Sequence, residues 1–321
     1  MIAERTALRE SPYPATKGYT SLHRKRISRR ALVGVAAAAA TLGPRTYEFA
    51  QAQEAVSWQE DPLRWPSVIL PHCRVLTYYG FPGVPEMGIL GAYSPEELYP
   101  ILLDQAMAYE DADPEKPVMM AYEVIASVAQ RDPQSDGSYL GRISDDVLQE
   151  YVDFCEKRKL HLILDMQYGR LSTEDELNAI SQWLEYPFVH PALDPEFHIK
   201  EGETPGVDLG QIDASDITFA QEWCADFCAT RGLPPKILIV HQFKTYSITN
   251  KEQVAPVDNV QFCLEIDGWG PPDQKLDTYR VLSDIPIEFQ GFKLWYDQDV
   301  PLMSESDVIG LDPSPDVIIY Q

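Results

Sequence analysis

Eight short apolar runs, helix-start signals between most of them, and a span of 247 residues from 74 to 320 predict an α/β fold, a single (β/α)8 barrel of TIM type. Each run is almost continuous in Val, Ile, Leu and aromatic residues, as strands covered on both faces of a parallel sheet are. Barrels of this kind take about 250 residues. A doubly wound open sheet is the alternative, but no Gly-rich phosphate loop follows the first run.

The elements follow in order. Residues 74–80 form the first strand and end in a Gly/Pro loop. Ser94, Pro95 and Glu97 supply an N-cap, an N1 proline and an N3 glutamate for a helix carrying Leu98, Leu102, Ala106 and Tyr109 on one stripe. Strand two is 117–125, and Ser144 caps the next helix. Strand three is 161–165, followed by a capping box read at Thr173–Glu176. Strand four is 188–194, and a long loop leads to Asp213 and a helix that ends at Gly232. Strands five to eight are 236–241, 260–267, 288–296 and 317–320, with a short helix over 273–282. The last helices are short or missing, and none follows strand eight.

The chain's net charge of −24 is unevenly spread. Residues 1–45 hold nine Lys/Arg against Glu4 and Glu10, so the other 276 residues carry −31. An acidic body of this kind excludes nucleic acid and anionic membrane surfaces as natural partners. Ser28-Arg29-Arg30-Ala31-Leu32 resembles the twin-arginine export signal, and Ala50-Gln51-Ala52 offers a small-residue cleavage site. The apolar run between them is about 13 residues, too short to span a bilayer comfortably. The expected organisation is a signal peptide over 1–52, a linker over 53–72 and the barrel domain over 73–321. The twin-arginine machinery is then a partner, no stable membrane span survives processing, and the mature protein is secreted or sits in the periplasm or cell envelope. Cys73, Cys155, Cys224, Cys228 and Cys263 are odd in number and irregularly spaced, which predicts buried thiols rather than a disulfide framework.

On such a barrel the chemistry lies at the C-terminal strand ends. Strand four is densest: His190, Asp194, Glu196 and His198 fall within nine residues. In extended backbone Asp194 and Glu196 point to the same side, and two carboxylates held together are costly unless something uses them. One reading is general acid catalysis of glycoside hydrolysis. Glu196 is the acid, with Asp194 either raising its pKa or orienting the substrate, and Asp165, Asp267 or Asp297 supplies a base or nucleophile across the mouth. Tyr78, Glu123, Tyr168, His241, Gln242, Trp269, Lys293, Trp295, Tyr296 and Asp297 are the expected substrate contacts, because aromatic faces stack on sugar rings and polar groups hold hydroxyls. A metal-dependent hydrolase using His190, Asp194, His198 and His241 is the second reading, although the spacing matches no zinc signature. A glycan-binding or envelope barrel without chemistry is the third, and a salt-bridged loop entry with Arg170, Lys200 or Lys244 is the purely structural account of strand four. No cofactor and no metal is expected; the expected partner is a carbohydrate.

Asp194-Pro195-Glu196 resembles the Asp-x-Glu of family 18 chitinases and family 25 lysozymes. There the resemblance implies a Glu acid and an Asp that supports the substrate's N-acetyl group or the nucleophilic water. Pro195 and the missing repeated-Asp signature depart from the chitinase pattern. Longer stretches, Leu193–Phe197, Leu233–Phe243, Asp267–Pro272 and Lys293–Pro301, resemble a group of exported bacterial proteins of unknown function. That resemblance covers about 74–321. It implies one domain, and one site shared by strand four with His241, Gln242, Asp267, Gly268, Lys293, Tyr296 and Asp297.

Overall fold

The structure is a computed structural model and describes residues 68–285 and 287–321. The expected leader and signal, and most of the linker, lie outside these residues. Eight parallel strands close into a barrel: β1 Arg74–Gly80, β2 Val118–Ala129, β3 His161–Met166, β4 Val189–Leu193, β5 Lys236–Gln242, β6 Val260–Ile266, β7 Phe289–Leu294 and β8 Val317–Tyr320. Each strand pairs with the next in sequence, and β8 returns to β1 with Val75 opposite Val317 and Tyr78 opposite Tyr320. The single (β/α)8 barrel is therefore as the sequence predicts. A bulge near Ile125–Ser127 lets β2 run on past the barrel, where Leu140–Arg142 pairs with it antiparallel.

Helices cover the outside: α1 Pro95–Ala112, α2 Asp145–Arg158, α3 Thr173–Ile180, α4 Ala214–Arg231, α5 Pro272–Leu282 and α6 Glu305–Ile309. Their starts follow local chemistry. Ser94 and Glu97 close a reciprocal capping box on α1, and Ser144 caps α2. The box at α3 lies one residue earlier than expected, with Ser172 as N-cap and Asp175 at N3. Asp213 caps α4, which ends at Gly232 in the left-handed conformation. The helix-poor connections are β5–β6, which has only a 3-10 turn at Lys251–Gln253, and β7–β8, which has the five-residue α6.

The core has two shells. Between sheet and helices, Leu76, Tyr122, Leu164, Leu193, Val240, Phe262 and Phe292 pack against Leu98, Leu148, Leu177, Ile217 and Tyr279. Residues one position along each strand fill the barrel itself, because side chains alternate faces. Its floor is closed by Ile69 and Leu70, both buried, whose amides donate to Gln261 Oε1 at 2.9 and 2.6 Å. Part of the segment read as linker thus belongs to the barrel. All five cysteines are buried free thiols.

His161 and His190 stack near the floor, 4.9 Å between ring centroids and 2.6 Å between Nδ1 and Nε2. His190 Nδ1 accepts from the Ile237 amide, so Nε2 carries the proton of a neutral ring. Burial pushes His161 down to about 3 and His190 well below the ordinary imidazole range. Both rings are expected to show no NMR titration between pH 8 and 5. The sign for stability follows: the unfolded chain takes up protons below about pH 6.5 and the native rings do not, so this pair destabilises the fold as pH falls.

Candidate functional site

The outward strand residues Tyr78, Tyr122, Val240 and Tyr320 lie in the helix-side core, so Tyr79, Glu123, His241 and their counterparts face the interior. The contacts bear this out, since two of them, His241–Glu123 and Tyr79–Asp165, join strands that are not neighbours. His241 at the end of β5 meets Glu123 of β2 through Nε2 at 3.0 Å and Glu265 of β6 through Nδ1 at 2.6 Å. Tyr79 of β1 donates to Asp165 Oδ2 of β3 at 2.7 Å, and Asp165 Oδ1 lies 3.9 Å from His241 Nε2. Lys293 of β7 donates to Asp267 Oδ2 at 2.8 Å, and Trp295 Nε1 to Asp267 Oδ1 at 3.2 Å. The Lys293 ammonium also lies 4.0 Å over the Tyr79 ring and 4.9 Å over Trp295. Asp194 is buried at the end of β4, and Glu196 is half-buried one turn further out.

Six carboxyl groups therefore share the upper barrel with two bases, and their protons are set jointly. Burial works against a charged His241, but hydrogen bonds to Glu123 and Glu265 outweigh it and hold the ring well above its ordinary pKa. Burial likewise opposes ionisation of Asp267, yet Lys293, then His241, keep it below the usual carboxylate range. Burial, then the Asp267 charge, push Glu196 up to about 7. Asp165 is pushed up to about 6 by burial, with Glu123 adding to it against the pull of His241. Asp194 is raised well above its usual value by burial, then by Glu196 and Asp165. At neutral pH the arrangement holds an ionised Asp267, a cationic Lys293, an imidazolium and a half-buried carboxyl close to its midpoint.

Two supports fix this geometry. On β7, Gly291 stands opposite Glu265, and a Cβ there would come within 2.9 Å of Glu265 Cα, Cβ and Cγ. Gly291→Ala is expected to cost about 1–3 kcal/mol through this overlap, read as a lowered Tm. Behind the mouth, buried Lys275 on α5 pairs with Asp299 at 3.1 Å and donates to the backbone oxygens of Lys293 (2.6 Å) and Gly268. Asp299 accepts from the amides of Gly270 and Trp295, both at 2.9 Å. This ion pair ties the loops that carry Asp267 and Trp295 to each other.

Of the residues expected from sequence, Glu196, Asp194, Asp165, Asp267, Glu123, His241, Lys293 and Trp295 come together. Tyr78 does not: it faces the helices, where Tyr296 donates to its hydroxyl at 3.3 Å, which removes Tyr296 as well. Tyr168 packs in the outer core with its hydroxyl 3.2 Å from Thr173. Gln242 is buried on the other parity from His241 and donates to Lys244 O. Trp269 is 54% exposed on the β6 loop, and Asp297 is exposed beyond β7. Asp194 and Glu196 do not share one extended strand, because β4 stops at Leu193 and Pro195 opens a single 3-10 turn over Pro195–Phe197. The expected metal set does not assemble either: His190 lies near the floor, and His198 is turned to Gln211 O at 3.1 Å and the Tyr168 ring. Arg170 and Lys244 lie instead over the rings of Tyr139 and Phe243. Tyr79 and Glu265 were not among the expected contacts. Strand parity with Glu123 and Asp267 is the signal that points to them.

No family model matches this sequence, and no curated protein matches it. Among solved structures, the mannanase Man26 of Bacillus subtilis is 12% identical, with a TM-score of 0.37 over 78% of this chain and 79% of that one. The YdhT protein of Bacillus subtilis is 12% identical, with a TM-score of 0.36 over 78% of this chain and 81% of that one. These are distant likenesses in fold.

Proposed function

We propose that this protein is a glycoside-hydrolase-like enzyme acting on envelope or extracellular polysaccharide by carboxylate general acid catalysis. The observation that carries this reading is Glu196: a half-buried carboxyl at the barrel mouth, held near pKa 7 by burial and by an Asp267 that Lys293 keeps ionised. A group in that state gives up a proton readily at neutral pH. Glu196 donates it to the glycosidic oxygen as the bond to the leaving sugar breaks. Asp194, which precedes the 3-10 turn, supports the substrate's N-acetyl group or the attacking water, the division of labour implied by the Asp-x-Glu resemblance. Asp165, at the end of the neighbouring strand β3, is the further carboxyl. Trp295, whose indole nitrogen is tied to Asp267, and the exposed Trp269 offer ring faces to a sugar.

The basic leader, the paired arginines and the Ala50–Ala52 site support export by the twin-arginine route, which would bring the enzyme to such a substrate. The test is incubation with a panel of envelope and secreted polysaccharides, read as new reducing ends. Turnover that disappears in Glu196→Gln supports the reading. Retention of a glycan without cleavage, equal in both proteins, replaces it with a binding barrel.

A further inference from the structure

We propose that His241, Glu265 and Asp267 form a binding site for one divalent transition-metal ion, of the zinc or manganese class, set just beneath the barrel mouth. Among the described residues these three form a group whose ligand atoms all lie within 4.8 Å of one another, and all are buried. A cluster of acidic groups alone would carry nothing. Here, however, Glu265 Oε1 is buried with no hydrogen-bond partner among the described residues, on a side chain that is 0% exposed. A buried carboxylate oxygen without a partner is costly, and a bound ion removes that cost.

The surrounding groups suit a metal. Glu123 Oε1 sits 3.0 Å from His241 Nε2, the position from which a carboxylate orients a ligating imidazole through its second nitrogen. That leaves Nδ1 for the ion. Asp267 accepts one hydrogen bond on each oxygen, from Lys293 and Trp295, and so keeps lone pairs free. Ligand bonds of about 2.0–2.2 Å at tetrahedral angles place ligand atoms about 3.3–3.6 Å apart, so the group closes with side-chain shifts of about an ångström. One imidazole nitrogen with two carboxylates favours zinc or manganese over magnesium or calcium, which take oxygen donors. The proton now between His241 Nδ1 and Glu265 Oε2, 2.6 Å apart, is what the ion displaces. The mouth's excess of carboxyl groups offsets the nearby Lys293 charge.

This goes beyond the glycosidase reading, and the ion is measured with no sugar present, so either can fail alone. The experiment uses the full chain, stripped with chelator and dialysed against Zn2+ or Mn2+, with elemental analysis and calorimetry in two buffers of different ionisation heat. The expected result is one ion per chain, a Kd of about 10 µM or tighter, and about one proton released per ion. Glu265→Gln should weaken binding at least tenfold, and Glu123→Gln by about 10–100-fold through loss of ring orientation. If Glu265→Gln does not fold by circular dichroism, Asp267→Asn takes its place. No retained ion, or retention unchanged in the folded variants, overturns the proposal.

Discussion

Replacement of Glu196 by Gln is expected to lower glycan cleavage by about 10²–10⁴-fold, with the fold intact. The amide keeps the shape of the carboxyl and loses its transferable proton, so substrate binding should change little while turnover collapses. Stability is expected to hold or rise slightly, because the variant removes a carboxyl that burial and Asp267 already drive toward its neutral form. The pH profile gives an independent check. Glu196 acts in its protonated form, so activity should fall as pH rises through about 7, close to tenfold per pH unit above it. An alkaline limb that survives in Glu196→Gln at wild-type rates would assign the proton to another group.

Lys293→Met is expected to be the most damaging single change to stability. Lys293 is 2% exposed and holds Asp267, 3% exposed, at 2.8 Å while lying over Tyr79 and Trp295. Removing the ammonium leaves a buried carboxylate without its counter-charge, a change that costs about 3–5 kcal/mol. For a domain of this size that corresponds to a Tm lower by roughly 6–20 °C. Adding Asp267→Asn should return most of the loss, since a neutral amide needs no counter-charge. If the double variant is as unstable as Lys293→Met, packing rather than charge is what Lys293 contributes. The single variant also frees Asp267 to take up a proton, and the pKa of Glu196 should drop as that neighbouring charge disappears.

Strand positions were readable because burial on both faces of a parallel sheet leaves a continuous apolar signature, and β1 and β8 match the expected runs residue for residue. Helix starts were readable because capping is a contact between residues three apart, as at Ser94 and Glu97. Boundaries slipped where a proline intervened. Pro195 turned the end of strand four into a 3-10 turn and undid the simple alternation of Asp194 and Glu196.

The chemistry-bearing residues were legible as strand ends but not as partners. Nothing local joins Glu123 to His241, 118 positions apart, or Tyr79 to Asp165. Parity could have chosen Tyr79 over Tyr78, but only once the inward register was anchored on another strand. The chain's own letters settled the barrel class, its helix starts and the acidic, aromatic character of its strand ends, because those rest on periodicity and short-range contacts. Closure of β8 onto β1 decided the rest. It brought side chains from seven strands into one buried interior, where low dielectric and mutual charge, rather than residue type, set which carboxyl keeps its proton.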